Sequence, residues 1–230
     1  MLRPSQIVLS TALGTAVLWM TGFSNPLRAG QGDDRPLIQL PKPKLKDGMS
    51  LAEALAKRRS HRSFDAKAPS LEQVSQICWA AQGITDSERG FRTAPSAGAL
   101  YPVTVVLIDT NGVSEYLPGP HALRRTVSGD VRERLHGSAL RQTPVRSAPL
   151  CVVVAIDIAR TAGKYGERAE RYCLLEAGHV AQNVLLQATA VGLAGVPIGA
   201  FDDHQVAAVL ELPGRLRPVY LIPLGYPGGP

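Results

Sequence analysis

Three guanidinium groups and a serine hydroxyl fall within five positions in Arg58-Arg59-Ser60-His61-Arg62. Such a cluster can grip a phosphate. Arginine offers a planar fork of donors matched to phosphate oxygens, and it stays charged at any working pH. A solvated basic surface explains the same residues, so the segment needs company. Two small-residue segments supply it. Ala94-Pro95-Ser96-Ala97-Gly98-Ala99-Leu100-Tyr101-Pro102 is a loop that feeds directly into a strand. Its small side chains let a flat ring lie against the backbone, Ser96 can donate to that ring, and Pro95 and Pro102 stiffen both ends. Gly192-Leu193-Ala194-Gly195-Val196-Pro197-Ile198-Gly199-Ala200-Phe201 again permits close backbone approach. Taken singly, either segment is also an ordinary turn. Neither GxGxxG nor a Walker A pattern occurs.

Other reactive side chains form weaker patterns. Glu176 and His179 lie three apart on a helical stretch and could pair there. His61, His121, His136 and His204 have no metal-ligand spacing, so no metal is expected. Cys78, Cys151 and Cys173 stand far apart, with no CxxC, and read as buried free thiols. No GxSxG, HExxH or Ser-His-Asp arrangement is present.

These segments need a body to hold them. The chain has 230 residues, 45% hydrophobic and 19% charged, with 25 basic against 19 acidic side chains and a net charge of +6. This composition makes it globular and long enough for a real core. The charge suits an anionic ligand or a membrane surface and is modest for nucleic acid, which is not expected as a partner. Residues 1–24 read as an export signal or a membrane anchor, because Ile7 to Phe23 is mostly apolar after Arg3. The body would then lie outside the cytoplasm, as a periplasmic or anchored protein. Residues 25–48, with four prolines, read as a linker or wrapping arm. Residues 49–230 form the domain. Ser50-Leu51-Ala52-Glu53 is a capping box opening a helix to about Arg59, and Ser70-Leu71-Glu72-Gln73 opens another that ends at Gly83. Strands are expected at 101–109, 150–157 and 219–224, with a polar insertion at 110–147 holding one short helix from Asp130 to Leu140. The longest helix runs from near Arg168 to Val191, its stripe traced through Leu174, Ala177, Gly178, Ala181, Val184, Leu185 and Ala188. Its small residues suit a core helix or one at the heart of a dimer. Asp202 or Asp203 caps a last helix through Leu210. The class is α+β, a sandwich rather than a regular doubly wound sheet.

In order and spacing, the three segments resemble the FMN-dependent nitroreductase family, over about Ser50 to Pro227. Pro95-Ser-Ala-Gly-Ala-Leu-Tyr-Pro102 and Glu176-Ala-Gly-His-Val-Ala-Gln-Asn183 resemble its SagB-type (azoline dehydrogenase-like) branch most closely. The resemblance implies a sandwich with a mixed central sheet flanked by helices, and a homodimer with two FMN molecules at the subunit interface. It implies that Arg58, Ser60 and Arg62 hold the FMN phosphate and ribityl chain, with Arg59 beside them. Pro95, Ser96, Ala97 and Gly98 would line the flavin from the partner subunit. Pro197, Ile198 and Gly199 would offer backbone donors near the ring. Lys164-Tyr165 would stand where the azoline-oxidising branch has a Lys-Tyr pair linked to proton removal, a role that suits a lysine desolvated by burial. Many family members end with basic residues that add to the phosphate site. Here the final residues are Gly225-Tyr226-Pro227-Gly228-Gly229-Pro230, so weaker cofactor retention is expected. The implied activity passes hydride or electrons from a reductant such as NAD(P)H, or from substrate, to a small nitro, quinone or azoline-like compound. A non-catalytic flavin carrier and a basic membrane-surface protein are the alternatives.

Overall fold

The structure, a computed structural model, describes residues 37–46 and 48–229. The leader expected over residues 1–24, and residues 25–36 of the arm, lie outside the described residues. The strands are β1 (Leu37–Gln39), β2 (Ile84–Asp86), β3 (Phe91–Arg92), β4 (Val103–Asp109), β5 (Gly112–Leu117), β6 (Ala122–Ser128), β7 (Leu150–Ile156), β8 (Ala194–Gly195) and β9 (Arg217–Gly225). All but β2 and β3, which pair with each other, form one seven-stranded sheet in the order β1-β6-β5-β4-β7-β9-β8. Pairing between these strands is antiparallel, and a parallel contact enters at the isolated bridge between Ser60 and Gly195.

The helices are α1 (Leu51–Lys57), α2 (Leu71–Gln82), α3 (Arg132–Ser138), α4 (Thr143–Ser147), α5 (Ile158–Tyr165), α6 (Ala169–Ala190) and α7 (Asp203–Val209). Both capping boxes form as the sequence predicts: Ser50 with Glu53 and Ser70 with Gln73 exchange side-chain and backbone bonds reciprocally. Asp202 caps α7 by accepting from the Gln205 N–H.

Strand β7 explains the layering. Its sequence, Leu-Cys-Val-Val-Val-Ala-Ile, has no polar residue, and all seven residues are buried. Val152, Val154 and Ile156 face a core completed by Ile77, Cys78 and Ala81 of α2 and by Cys173, Ala177, Val180 and Val184 of α6. Cys151 and Val153 face the opposite core, with Leu135 of α3, Val145 of α4 and Val206 of α7. A strand covered on both faces reads as a continuous apolar run. The three cysteines are free and buried, as expected. Burial pushes the Cys151 thiol up to about 12 and raises Cys78 as well, so both pack as inert apolar groups.

Three sequence expectations are corrected. First, the insertion at 110–147 holds more than the expected helix, which forms as α3: the β5–β6 hairpin precedes it and α4 follows. Its strands carry Glu115, Arg124 and Arg125, which pair on the sheet surface: Arg124 with Glu115 at 2.7 Å and Arg125 with Asp109 at 3.2 Å. Those charges break the apolar alternation that marks a strand. Second, Leu174 lies outside the buried stripe of α6 and is 44% exposed. Third, Glu176 and His179 do not pair: Glu176 is buried and His179 exposed. The end of the arm also joins the domain, with β1 pairing to β6. Ser75 Oγ of α2 donates to the Pro41 carbonyl, and His121, bonded to Tyr116 Oη at 2.8 Å, lies 3.1 Å from that carbonyl.

Candidate functional site

The arginine segment begins where α1 ends. Arg58 is the C-cap of α1, and Arg59 folds back so that Nη1 donates to the carbonyls of Ala56 and Arg58 at 2.9 and 2.8 Å. That bond satisfies helix-end acceptors. It leaves Arg58 and Arg62 as the cations of the cluster with no carboxylate partner among the described residues. Beyond Arg59 the chain is extended and held by its backbone on both sides. Ser60 bridges Gly195, and the His61 N–H donates to the Gly195 carbonyl at 3.1 Å. Further on, Phe64 bridges Pro227, while Asp65 N–H to Tyr226 O and Gly228 N–H to Ser63 O are both 3.0 Å. The fold therefore brings the first and third predicted segments together. Glycine is required at the junction: a Cβ on Gly195 would lie 2.4 Å from Leu224 Cδ2 and 3.0 Å from the Pro223 carbonyl.

The donors predicted at 197–199 narrow to one. Proline has no N–H. The Ile198 N–H donates to Leu221 O at 2.8 Å, so it cannot serve a ring, which corrects that part of the expectation. Gly199 is exposed, and its amide has no backbone partner among the described residues.

The second segment is built differently. Pro95 to Ala99 is a tight turn with Gly98 at φ 63°, followed by Ala99 at φ 54° and Tyr101 at φ 49°. Left-handed backbone at two non-glycine residues is strained and needs support. Side chains supply it. Tyr101 N–H donates to Ser96 Oγ at 2.8 Å, and Arg160 Nη1 of α5 donates to Tyr101 O at 2.9 Å. The Arg92 guanidinium stacks 4.5 Å from the centre of the Tyr101 ring, and the Arg92 N–H donates to Tyr101 Oη at 3.3 Å. Arg92 Nη1 donates to Gln82 Oε1 at 2.9 Å, and Gln82 Nε2 to Glu176 Oε1 at 3.3 Å. Burial raises the Glu176 pKa, opposed by the Ser96 hydroxyl, the Gln82 amide, the Val103 N–H and the Arg92 charge. Burial lowers the Arg92 pKa. Sequence reading missed Arg92, Arg160 and Gln82. The signal for Glu176 was an acid set among the buried apolar positions of α6.

Lys164 and Tyr165 occupy the last turn of α5. They meet the 95–98 loop: a Cβ at Gly98 would lie 2.8 Å from Lys164 Nζ and 2.9 Å from Tyr165 Oη. The Tyr165 ring is fixed edge-on by Tyr172, centroids 4.9 Å apart. Lys164 is exposed and Tyr165 half-buried in the single chain.

The predicted residues thus fall into two groups. Arg58, Arg59, Ser60, Arg62, Pro197, Ile198 and Gly199 share one strip, and Pro95, Ser96, Ala97, Gly98, Lys164 and Tyr165 share another. No hydrogen bond or bridge among the described residues joins them. Cavities of about 480, 500 and 460 Å³ are lined by none of these residues. No metal-binding cluster exists among the described residues.

Comparison with known proteins places this arrangement. The nitroreductase family model matches residues 55–226. A protein of Methanocaldococcus jannaschii described as a nitroreductase is 39% identical over 183 residues, covering 77% of this chain and 91% of its own. A crystal structure described as a nitroreductase of Ralstonia eutropha superposes with a TM-score of 0.77 at 27% identity, covering 86% of this chain and 93% of that one. The NADPH:FMN oxidoreductase of Vibrio harveyi, complexed with NAD+, gives 0.59 at 26% identity, covering 78% and 69%. A match running through both strips, with a relative this similar along nearly its whole length, shows that the chain belongs to the nitroreductase family.

Proposed function

We propose that this flavin oxidoreductase binds FMN across two copies of the chain and removes a hydride and a proton from an azoline-like substrate. A nitro compound or quinone would serve as the final acceptor. The observation that carries the reading is the seating of Lys164 Nζ and Tyr165 Oη on Gly98 of the loop expected to line the flavin. The residues fit the cofactor. Arg58 and Arg62 offer unpaired cationic forks for the phosphate, Gly199 offers a free amide, and Gly98 leaves an open backbone surface. FMN, when bound, supplies a two-electron acceptor for hydride. The chain does the rest: Arg58, Arg62 and Ser60 anchor the phosphate end, and residues 95–98 of the partner copy limit the ring's position. Lys164 Nζ, beside Tyr165 Oη, takes the proton that leaves the substrate as the hydride departs. The separation of the two strips in one chain supports the dimer. So do the exposed Leu51 and Leu55 of α1 and Leu174 and Leu175 of α6, at 66, 52, 44 and 52%.

The apolar stretch from Ile7 to Phe23 supports placing this chemistry outside the cytoplasm. A substrate-derived hydride suits that location, because nicotinamide need not be the donor. The test is an absorption spectrum of the purified chain, FMN titration by calorimetry, and anaerobic bleaching with azoline substrate, NADPH and dithionite in turn. Bleaching by substrate is expected. Bleaching by dithionite alone would make the protein a flavin carrier, and no FMN binding would end the proposal.

A further inference from the structure

Glu176 is a buried acid with no place in the chemistry above. It is 2% exposed, and one oxygen accepts the Gln82 amide at 3.3 Å. The other, Oε2, has no hydrogen-bond partner among the described residues. An unpaired carboxylate oxygen in a dry interior is costly. Ser96 is close enough that its hydroxyl, like the Val103 N–H, favours the charged form of this carboxyl. Its oxygen already accepts the Tyr101 N–H at 2.8 Å. That leaves the Ser96 proton, which rotates freely, to be given elsewhere. Gln82 is held in turn by Arg92, whose guanidinium stacks on Tyr101. Both ends of the strained loop, Ser96 and Tyr101, therefore lead back to one carboxyl on α6.

We infer that Glu176 is a positioning residue for residues 96–101: it accepts the Ser96 hydroxyl and the Gln82 amide together, and so holds the left-handed turn in which Pro95 to Gly98 are presented. The inference rests on the reading of that turn as the flavin-lining loop. Its corollary is that the Ser96 proton points into the core rather than at a ring. Neither oxygen can be replaced by an apolar group, whereas an amide of the same shape can still bond Gln82 and Ser96.

Amide hydrogen exchange on the cofactor-free protein tests this apart from FMN binding. Glu176→Leu should speed exchange at the Tyr101 amide at least tenfold while Val152 to Val154 of β7 stay protected, and Glu176→Gln should keep Tyr101 within about threefold of the parent. Unchanged protection in Glu176→Leu, or equal loss in both variants, overturns the inference. Ser96→Ala, at a half-exposed position, probes the contact from the other side should Glu176→Leu fail to fold. The Glu176 carboxyl, followed by carbon NMR, should then titrate at higher pH, because the Ser96 bond that favours its charge is gone. The charged group facing it, Arg92 of β3, is untouched, and Cys173 on the same helix is raised by burial, out of the acidic range. An unmoved titration overturns the inference equally.

Discussion

The arginine strip and the Gly98 loop are both exposed, yet they are held by opposite means. The strip is positioned by its backbone, zipped to Gly195 on one side and to residues 226–228 on the other, while Arg58 and Arg62 project without partners. The loop makes few backbone bonds and is positioned by the side chains of Ser96, Arg92 and Arg160 acting on a strained turn. The contrast suits the task proposed for each. A dianionic phosphate is captured by long, adjustable cations, which tolerate small displacements. Hydride and proton transfer lose rate steeply with misplacement, which on the proposed reading calls for a rigid loop beside Lys164.

If that division holds, variants should separate retention of cofactor from turnover. The largest effect is expected at Lys164: Lys164→Ala should lower turnover of a proton-losing substrate by about 10²–10⁴-fold while flavin absorbance per chain is unchanged. Equal losses of pigment and rate would erase the distinction. Next, Arg58→Ala or Arg62→Ala should weaken FMN binding about ten- to a hundredfold by calorimetry, the equivalent of one charge-assisted bond. Turnover at saturating FMN should stay near the parent value. Gly98→Ala should follow, because a side chain at φ 63° costs about 1–2 kcal/mol and would press on Lys164 and Tyr165. Denaturant unfolding should show the loss, and the KM should rise with it.

The smallest effect is a slope. Folding raises the Glu176 pKa above its ordinary value of 4.5. The folded state thus favours the protonated acid. That contribution is fully present below 4.5 and is lost as pH rises through the folded value. The stability of Glu176→Gln relative to the parent should therefore grow with pH over this range and then level off. Parallel unfolding curves at every pH would mean the carboxyl is not desolvated as described.

Much of the frame was legible in the sequence. Ser50 and Ser70 announced their helices through capping boxes, and β7 announced its burial by a polar-free run. The β5–β6 hairpin was hidden because its charges pair across the sheet surface, Arg124 with Glu115 and Arg125 with Asp109. Helix α5 was hidden because little of it is buried, Thr161 being its one fully buried residue. At the site, the local segments were readable because phosphate chemistry and close ring approach select residue types at short spacing. The supports were not, because Gln82, Arg92 and Glu176 come together from three elements, and no local pattern encodes that meeting.

The zipping of Ser60 and Phe64 between Gly195 and Pro227 also bears on how the protein is made. Residues near the beginning of the domain gain their final neighbours only when the last strand and the residues after it have left the ribosome. Closing so long a loop is slow. A nascent chain halted before residue 225 would have Gly195 to hold Ser60 and His61 but would lack the half of the zipper that pins Ser63 to Asp65.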